Sequence, residues 1–135
     1  MRAIKFRGKS INGEWHYGLL SISQGKPGQP EAGYYISNSA GMPWAYQVIP
    51  ETVGQYTGVN DKNNKEIYEG TILKVDKDFP KDSNFFKVQY VDFLACYKAV
   101  GLKYSFPLHF KEFRDYEVIG NIVDNPELLL QDEAV

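Results

Sequence analysis

The sequence predicts a mainly β protein built as two small β lobes sharing a core, with a short helix at the C-terminus. Three observations carry this reading. Short runs of β-branched and aromatic residues recur along all 135 residues, punctuated by 12 Gly and 7 Pro. Aromatic residues make up 15% of the chain, ample apolar surface for one ordinary core. A single polar tract, Asn60-Asp61-Lys62-Asn63-Asn64-Lys65-Glu66, breaks the pattern near the middle and divides residues 1–60 from residues 61–135.

The opening Arg2-Ala3-Ile4-Lys5-Phe6-Arg7 alternates, with Ile4 and Phe6 on one face and Lys5 and Arg7 on the other, as a half-buried strand does. Asn12-Gly13 tolerates positive φ and turns the chain into a hairpin whose return strand is Glu14 to Leu20. Gln24 to Gly33 holds three Gly and two Pro and reads as a surface loop. Tyr34 to Ser37 and Trp44 to Ile49 are two further strands, the second stopped by Pro50. Thr52 to Thr57 is a short strand or the closing corner of the first lobe.

Past the polar tract, Gly70 to Val75 begins a new strand, Asp76 to Asn84 is a charged loop, and Phe85 to Val91 and Leu94 to Val100 are apolar-rich segments. Tyr116 to Val123 is a late strand. Asn125-Pro126 places a capping residue before proline at the first helical position, so a short helix follows through Leu128-Leu129-Leu130.

The net charge of −2 conceals an asymmetry. Residues 1–30 carry Arg2, Lys5, Arg7, Lys9 and Lys26 against Glu14, whereas residues 112–135 set seven acids against Arg114. A basic head and an acidic tail suit two partners, each other in neighbouring subunits, or mutual neutralisation. Apolar runs of only a few residues argue against a membrane protein. A lone Cys96 rules out an intramolecular disulfide framework and fits a reducing, cytoplasmic setting.

Catalytic chemistry finds little support. His16 and His109 have no ligand spacing, and Cys96 sits in an apolar run where an inert thiol is usual. Asp61-x-Asn63-x-Lys65 imitates the start of a calcium loop, but the fifth, sixth and twelfth places hold Lys65, Glu66 and Ile72. Acid pairs such as Glu66 with Glu69 lie in solvated stretches. No enzyme, metal or cofactor is expected.

Binding chemistry is better represented. Lys5, Arg7 and Lys9 alternate on one strand face; Trp15 and Trp44 supply rings, and His16 is expected on the cation face. Small β modules bind single-stranded nucleic acid with such cations and stacking rings.

A longer pattern is more specific. Pro50-Glu51-Thr52-Val53-Gly54-Gln55-Tyr56-Thr57-Gly58 runs into Asp61 to Gly70, after Ile4-Lys5-Phe6-Arg7-Gly8 and Trp15-x-Tyr17-Gly18 and before Val118-Ile119-Gly120-Asn121-Ile122-x-x-Asn125-Pro126-Glu127-Leu128-Leu129. In this order, from about residue 3 to residue 130, the blocks resemble the YopX family, small proteins of bacteriophages, prophages and other mobile elements. The chain departs from the family pattern at Asn64, commonly Gly, and Thr71, commonly Asp. Asn supplies the same left-handed turn; Thr71 lacks the carboxylate, so no role of that acid carries over. Within the blocks, Gly54, Gly58 and Gly70 read as bends or close approaches, with Gln55, Tyr56 and Tyr68 as the structural residues of the inter-lobe corner. Glu69 to Lys74 resembles the first strand of SH3-like barrels, so the second lobe is expected to be barrel-type. The resemblance implies a β-rich, self-associating phage protein and brings no activity with it. The expected function is therefore a non-catalytic binding module, working through a homo-oligomer or a host or phage protein; the alternative is nucleic-acid binding by the basic hairpin.

Overall fold

The computed structural model of the chain describes residues 3–75, 84–108 and 116–130. It divides into two compact units, Met1–Tyr56 and Thr57–Val135. No helix among the described residues is long and apolar enough to cross a membrane.

The N-terminal unit opens with the expected hairpin, Phe6–Lys9 (β1) against Trp15–Gly18 (β2), registered from Phe6 opposite Gly18 to Lys9 opposite Trp15. Backbone N–H groups of Gly13 and Ser10 donate to the carbonyls of Ser10 and Glu14, each at 2.9 Å, and close the turn. Leu20–Ser23 (β3), Gly33–Ile36 (β4) and Tyr46–Val48 (β5) form a separate three-stranded antiparallel sheet in that order. The chain crosses from one sheet to the other at Gly18-Leu19, where the Ser37 N–H donates to the Leu19 carbonyl at 2.8 Å. A Cβ added at Gly18 would stand 2.0 Å from the Ser37 carbonyl oxygen, so only glycine admits this approach. The two sheets meet where Gly8 lies against the Val48 side chain and the His16 ring lies on Tyr46. Ile36 and Val48 are buried between them.

Pro50 ends β5 as expected, through a 3-10 turn over Pro50–Thr52. The segment expected to be a strand or corner is a seven-residue strand, Gly54–Asn60 (β6). Its first residues, Gly54 and Gln55, lie opposite Arg7 and Phe6 of β1. Its later residues neighbour Glu66–Tyr68 (β7), which the sequence pattern did not mark.

In the C-terminal unit, Thr71–Val75 (β8), Phe85–Val91 (β9), Cys96–Val100 (β10), Ser105–Pro107 (β11) and Tyr116–Asn121 (β12) form one antiparallel sheet in the order β11-β10-β9-β8-β12. Registry places Leu73 opposite Phe86, and Ala99 opposite both Val88 and Phe106, so these side chains share one face. With Val59, Ile67, Val75, Leu108 and Tyr116 they make the core, where Phe86 meets Phe106 edge-on at 5.1 Å. Among the described residues, none of the sheets closes into a barrel. The expected barrel-type lobe is instead an open five-stranded sheet with β11 and β12 at its edges, because β12 returns beside β8 and not beside β11. The short helix falls where the Asn-Pro pair placed it, at Glu127–Leu130 (α1). The charged loop after Val75 and His109 lie outside the described residues.

The polar tract differs from its exposed expectation at one residue. Asp61 is only 6% exposed. One carboxylate oxygen accepts the N–H groups of Asn63 and Lys65, each at 2.8 Å, and the other accepts that of Val118 at 2.9 Å. Asn64 takes the left-handed conformation at φ 64°, as its place in the family pattern implies.

Candidate binding face

Strand alternation assembles the candidate site on β1 and its neighbours. Lys5, Arg7 and Lys9 project from the same face, at same-face intervals of roughly 7 Å set by two strand rises. Directly opposite residues of an antiparallel pair share a face, so Tyr17 joins Arg7 and Trp15 joins Lys9. On the other side of β1, the Tyr56 N–H donates to the Lys5 carbonyl at 2.7 Å, which continues the pairing and brings the Tyr56 ring to the same row.

The cations are laid on these rings. The Arg7 guanidinium carbon lies 5.0 Å from the Trp15 ring centroid, the Lys9 ammonium 5.9 Å from the same centroid, and the Lys5 ammonium 5.9 Å from that of Tyr56. Each such contact contributes about 0.5–1 kcal/mol in a solvated setting. Its larger effect is to hold long cationic side chains in a fixed row. Lys5, Arg7, Lys9 and Trp15 are half-buried and Tyr17 is exposed.

His16 does not belong to this row. It stands opposite Gly8, one residue out of phase with the cations, and therefore points to the other face of the hairpin. There its ring stacks on Tyr46 at 3.9 Å, with the planes 12° apart. Trp44 has a separate place beside the second sheet, meeting Tyr35 edge-on at 5.5 Å. The Tyr35 hydroxyl donates to the Glu31 carbonyl at 2.9 Å, and burial, with the Glu31 carboxylate second, raises its pKa above the ordinary 10.0.

Beside the Lys5 end of the row lies an open groove of about 630 Å³. Ile4, Leu19, Leu20 and Pro43 line its apolar wall; Ser37 and Asn38 stand on its polar side, and Lys5 and Tyr17 join it to the row. Ile4, Tyr17 and Leu19 are 62%, 52% and 55% exposed. Sequence reasoning did not find this groove. Its signal was Leu19 continuing an alternating strand into a glycine-broken corner, but much of the remaining lining comes from the Asn38 to Pro43 turn, which has no pattern of its own.

The quoted motif residues occupy structural positions. Gly58 and Gly70 hold φ of 86° and 85°, while Gly54 is buried opposite Arg7. Gln55 lies opposite Phe6, and the fully buried Tyr68 donates its hydroxyl to Glu66 Oε1 at 2.9 Å. Thr71, where the family commonly has Asp, is also buried, and its hydroxyl oxygen accepts the Tyr68 N–H at 3.0 Å. Among the described residues, no three His, Cys, Asp or Glu side chains converge as metal ligands do.

Comparison with solved structures finds protein EF1440 from Enterococcus faecalis, whose crystal structure aligns with a TM-score of 0.50 over 96% of this chain and 99% of that one, at 23% sequence identity. That likeness concerns the fold. Comparison with curated protein sequences gives no match. The family model described as YopX protein matches residues 5–130, spanning both units and all three motif blocks, and the chain therefore belongs to the YopX family.

Proposed function

We propose that the chain is a phage- or prophage-encoded accessory protein that works by binding and not by catalysis, with the face of the N-terminal unit as its docking surface for a protein partner. One observation carries this reading: Ile4, Tyr17 and Leu19 leave apolar surface exposed around a groove that adjoins a row of ring-held cations. An apolar centre beside an ordered polar margin is the anatomy of a protein interface. The side chains of the row project from the face of β1 opposite the one on which Gly8 meets Val48 of the second sheet.

The test compares wild-type bait with a Lys5→Glu/Arg7→Glu variant in the host's lysate, by quantitative mass spectrometry. The expected result is a set of proteins depleted at least tenfold on the variant, which keeps the wild-type circular dichroism spectrum. An identical set on both baits would overturn the reading.

Nucleic-acid binding is the second reading, favoured by three cations in a row on one strand face beside the exposed Tyr17. It requires affinity for mixed-sequence DNA or RNA to fall by orders of magnitude between about 50 and about 200 mM salt, as released counterions dictate. A flat response removes it.

A further inference from the structure

β3 lies at the edge of its sheet, β3-β4-β5, and among the described residues β4 is the strand it pairs with. That pairing decides which backbone groups are left over. The Ser37 N–H donates to the Leu19 carbonyl, and an antiparallel ladder alternates. Leu19, Ser21 and Ser23 therefore direct their backbone groups at β4, while Leu20 and Ile22 direct theirs outward. Natural edge strands carry lysine, proline or a bulge that turns other strands away. Leu20-Ser21-Ile22-Ser23 has no charge, no proline and an unbroken register with β4, and Ile22 is 55% exposed.

We infer that β3 pairs antiparallel with β3 of a second copy, about a two-fold axis at Ser21, which joins the two three-stranded sheets into one. The register follows from the outward groups. With Ser21 opposite its own counterpart, Leu20 of each copy stands opposite Ile22 of the other. All four residues belong to the outward set, so each of these pairs exchanges both N–H···O bonds, and Ser21 falls at a non-hydrogen-bonded position as alternation requires. A slip of one residue sets outward groups against inward ones. A slip of two sets Ile22 against Gly18, already paired with Phe6, or Leu20 against Gln24, whose N–H donates to Gln29 Oε1 at 3.1 Å.

The same symmetry selects a second copy as the occupant. Leu20 and Ile22 share one face of β3, so the two-fold makes two aliphatic cross-strand pairs there and covers the exposed Ile22, while the Ser21 hydroxyls meet on the other face. Neither strand brings a charge to repel its equal. The pairing uses the backbone edge of β3 and takes nothing from the cation row, so it stands or falls apart from the docking reading.

An edge of four residues supports a modest dimer. Sedimentation equilibrium of the full chain from about 1 to about 200 µM is expected to show monomer and dimer in exchange. Ile22→Lys, which puts an ammonium at the seam of each copy, is expected to weaken the dimer about tenfold or more and to keep the wild-type circular dichroism spectrum. Cysteine pairs read the register, and they decide the matter even where Ile22→Lys fails to fold. In a Cys96→Ser background, Ser21→Cys sets two thiols across a non-hydrogen-bonded pair with Cα atoms roughly 4.5 Å apart, within disulfide reach. Ile22→Cys sets them two residues out of register, an offset of roughly 7 Å along the strands and beyond that reach. Oxidised glutathione is expected to convert the Ser21→Cys protein to a covalent dimer and to leave the Ile22→Cys protein monomeric. A monomer over the whole concentration range, a dimer undiminished by Ile22→Lys, or crosslinking at Ile22→Cys as fast as at Ser21→Cys would each overturn the inference.

Discussion

Among the largest fully buried side chains of the described residues, Ile36 alone belongs to the N-terminal unit, whereas Tyr68, Tyr116, Phe86, Ile67, Ile72, Leu73, Val88 and Thr71 belong to the C-terminal one. The N-terminal unit instead leaves Ile4, Tyr17 and Leu19 in solvent beside its cations. Exposed apolar surface is present in the C-terminal unit too, with Phe93 87% exposed at the β9–β10 turn, but its sequence neighbour there is Asp92 and not a row of cations. The difference teaches where each kind of free energy resides. Both units expose apolar side chains, but the C-terminal one gathers the larger set of fully buried ones, whereas the N-terminal one sets exposed apolar groups beside a row of cations.

The strongest way to break this comparison is Phe86→Ala. Phe86 is fully buried, opposite Leu73 and edge-on to Phe106, and its truncation should cost about 3–5 kcal/mol. Amide exchange in β8, β9 and β10 should accelerate accordingly. Both tryptophans, Trp15 and Trp44, lie in the N-terminal unit, so tryptophan fluorescence follows that unit separately. Its denaturant midpoint should stay close to wild type. A midpoint displaced as far as the exchange data would mean that the units unfold as one, and the division of stability would fail.

Gly18→Ala is the converse probe, with a smaller expected effect. An added Cβ would meet the Ser37 carbonyl oxygen, a backbone atom that cannot rotate away, so the corner between the two N-terminal sheets must shift. A cost of about 1–3 kcal/mol follows from forced displacement in a packed region. Here tryptophan fluorescence should report the loss and exchange in β8 to β10 should not. The same corner forms one wall of the groove, so Gly18→Ala should also weaken whatever binds there.

Much of this is legible in the sequence. Alternation placed Lys5 and Arg7 opposite Ile4 and Phe6, Asn12-Gly13 marked the hairpin turn, and Asn125-Pro126 marked the helix start, because each depends on neighbours along the chain. What depended on registry was not readable. His16 lies on the wrong face for the cation row because the hairpin pairs it with Gly8, and no local signal fixes that offset. Asp61 looked like one more solvated residue of a polar tract, although an aspartate opening a turn is well suited to receive the N–H groups that follow it. Its third partner, Val118, is 57 residues away and is beyond any local rule. The five-stranded sheet stays open for the same kind of reason: whether first and last strands meet is decided by long-range pairing, not by the Glu69 to Lys74 motif.

The subtlest probe of the N-terminal unit is Tyr35→Phe, read against pH. Burial and the Glu31 carboxylate raise the Tyr35 pKa above the 10.0 of a free phenol. On raising the pH, an unfolded chain loses this proton first, while the folded chain still holds it. The unfolded state then binds fewer protons than the folded one, so Tyr35 makes stability fall as pH rises. Its contribution is intact below about pH 10 and disappears as pH passes through the raised value. Phenylalanine keeps the ring against Trp44 but cannot donate to the Glu31 carbonyl, so the variant should be slightly less stable at neutral pH. From about pH 8 to about pH 11 the gap in urea midpoint between wild type and Tyr35→Phe should narrow, because only the wild type has a proton to lose at this position. A gap that stayed constant with pH would place the phenol in solvent-like surroundings, and the N-terminal unit would then lose one of its few buried polar anchors.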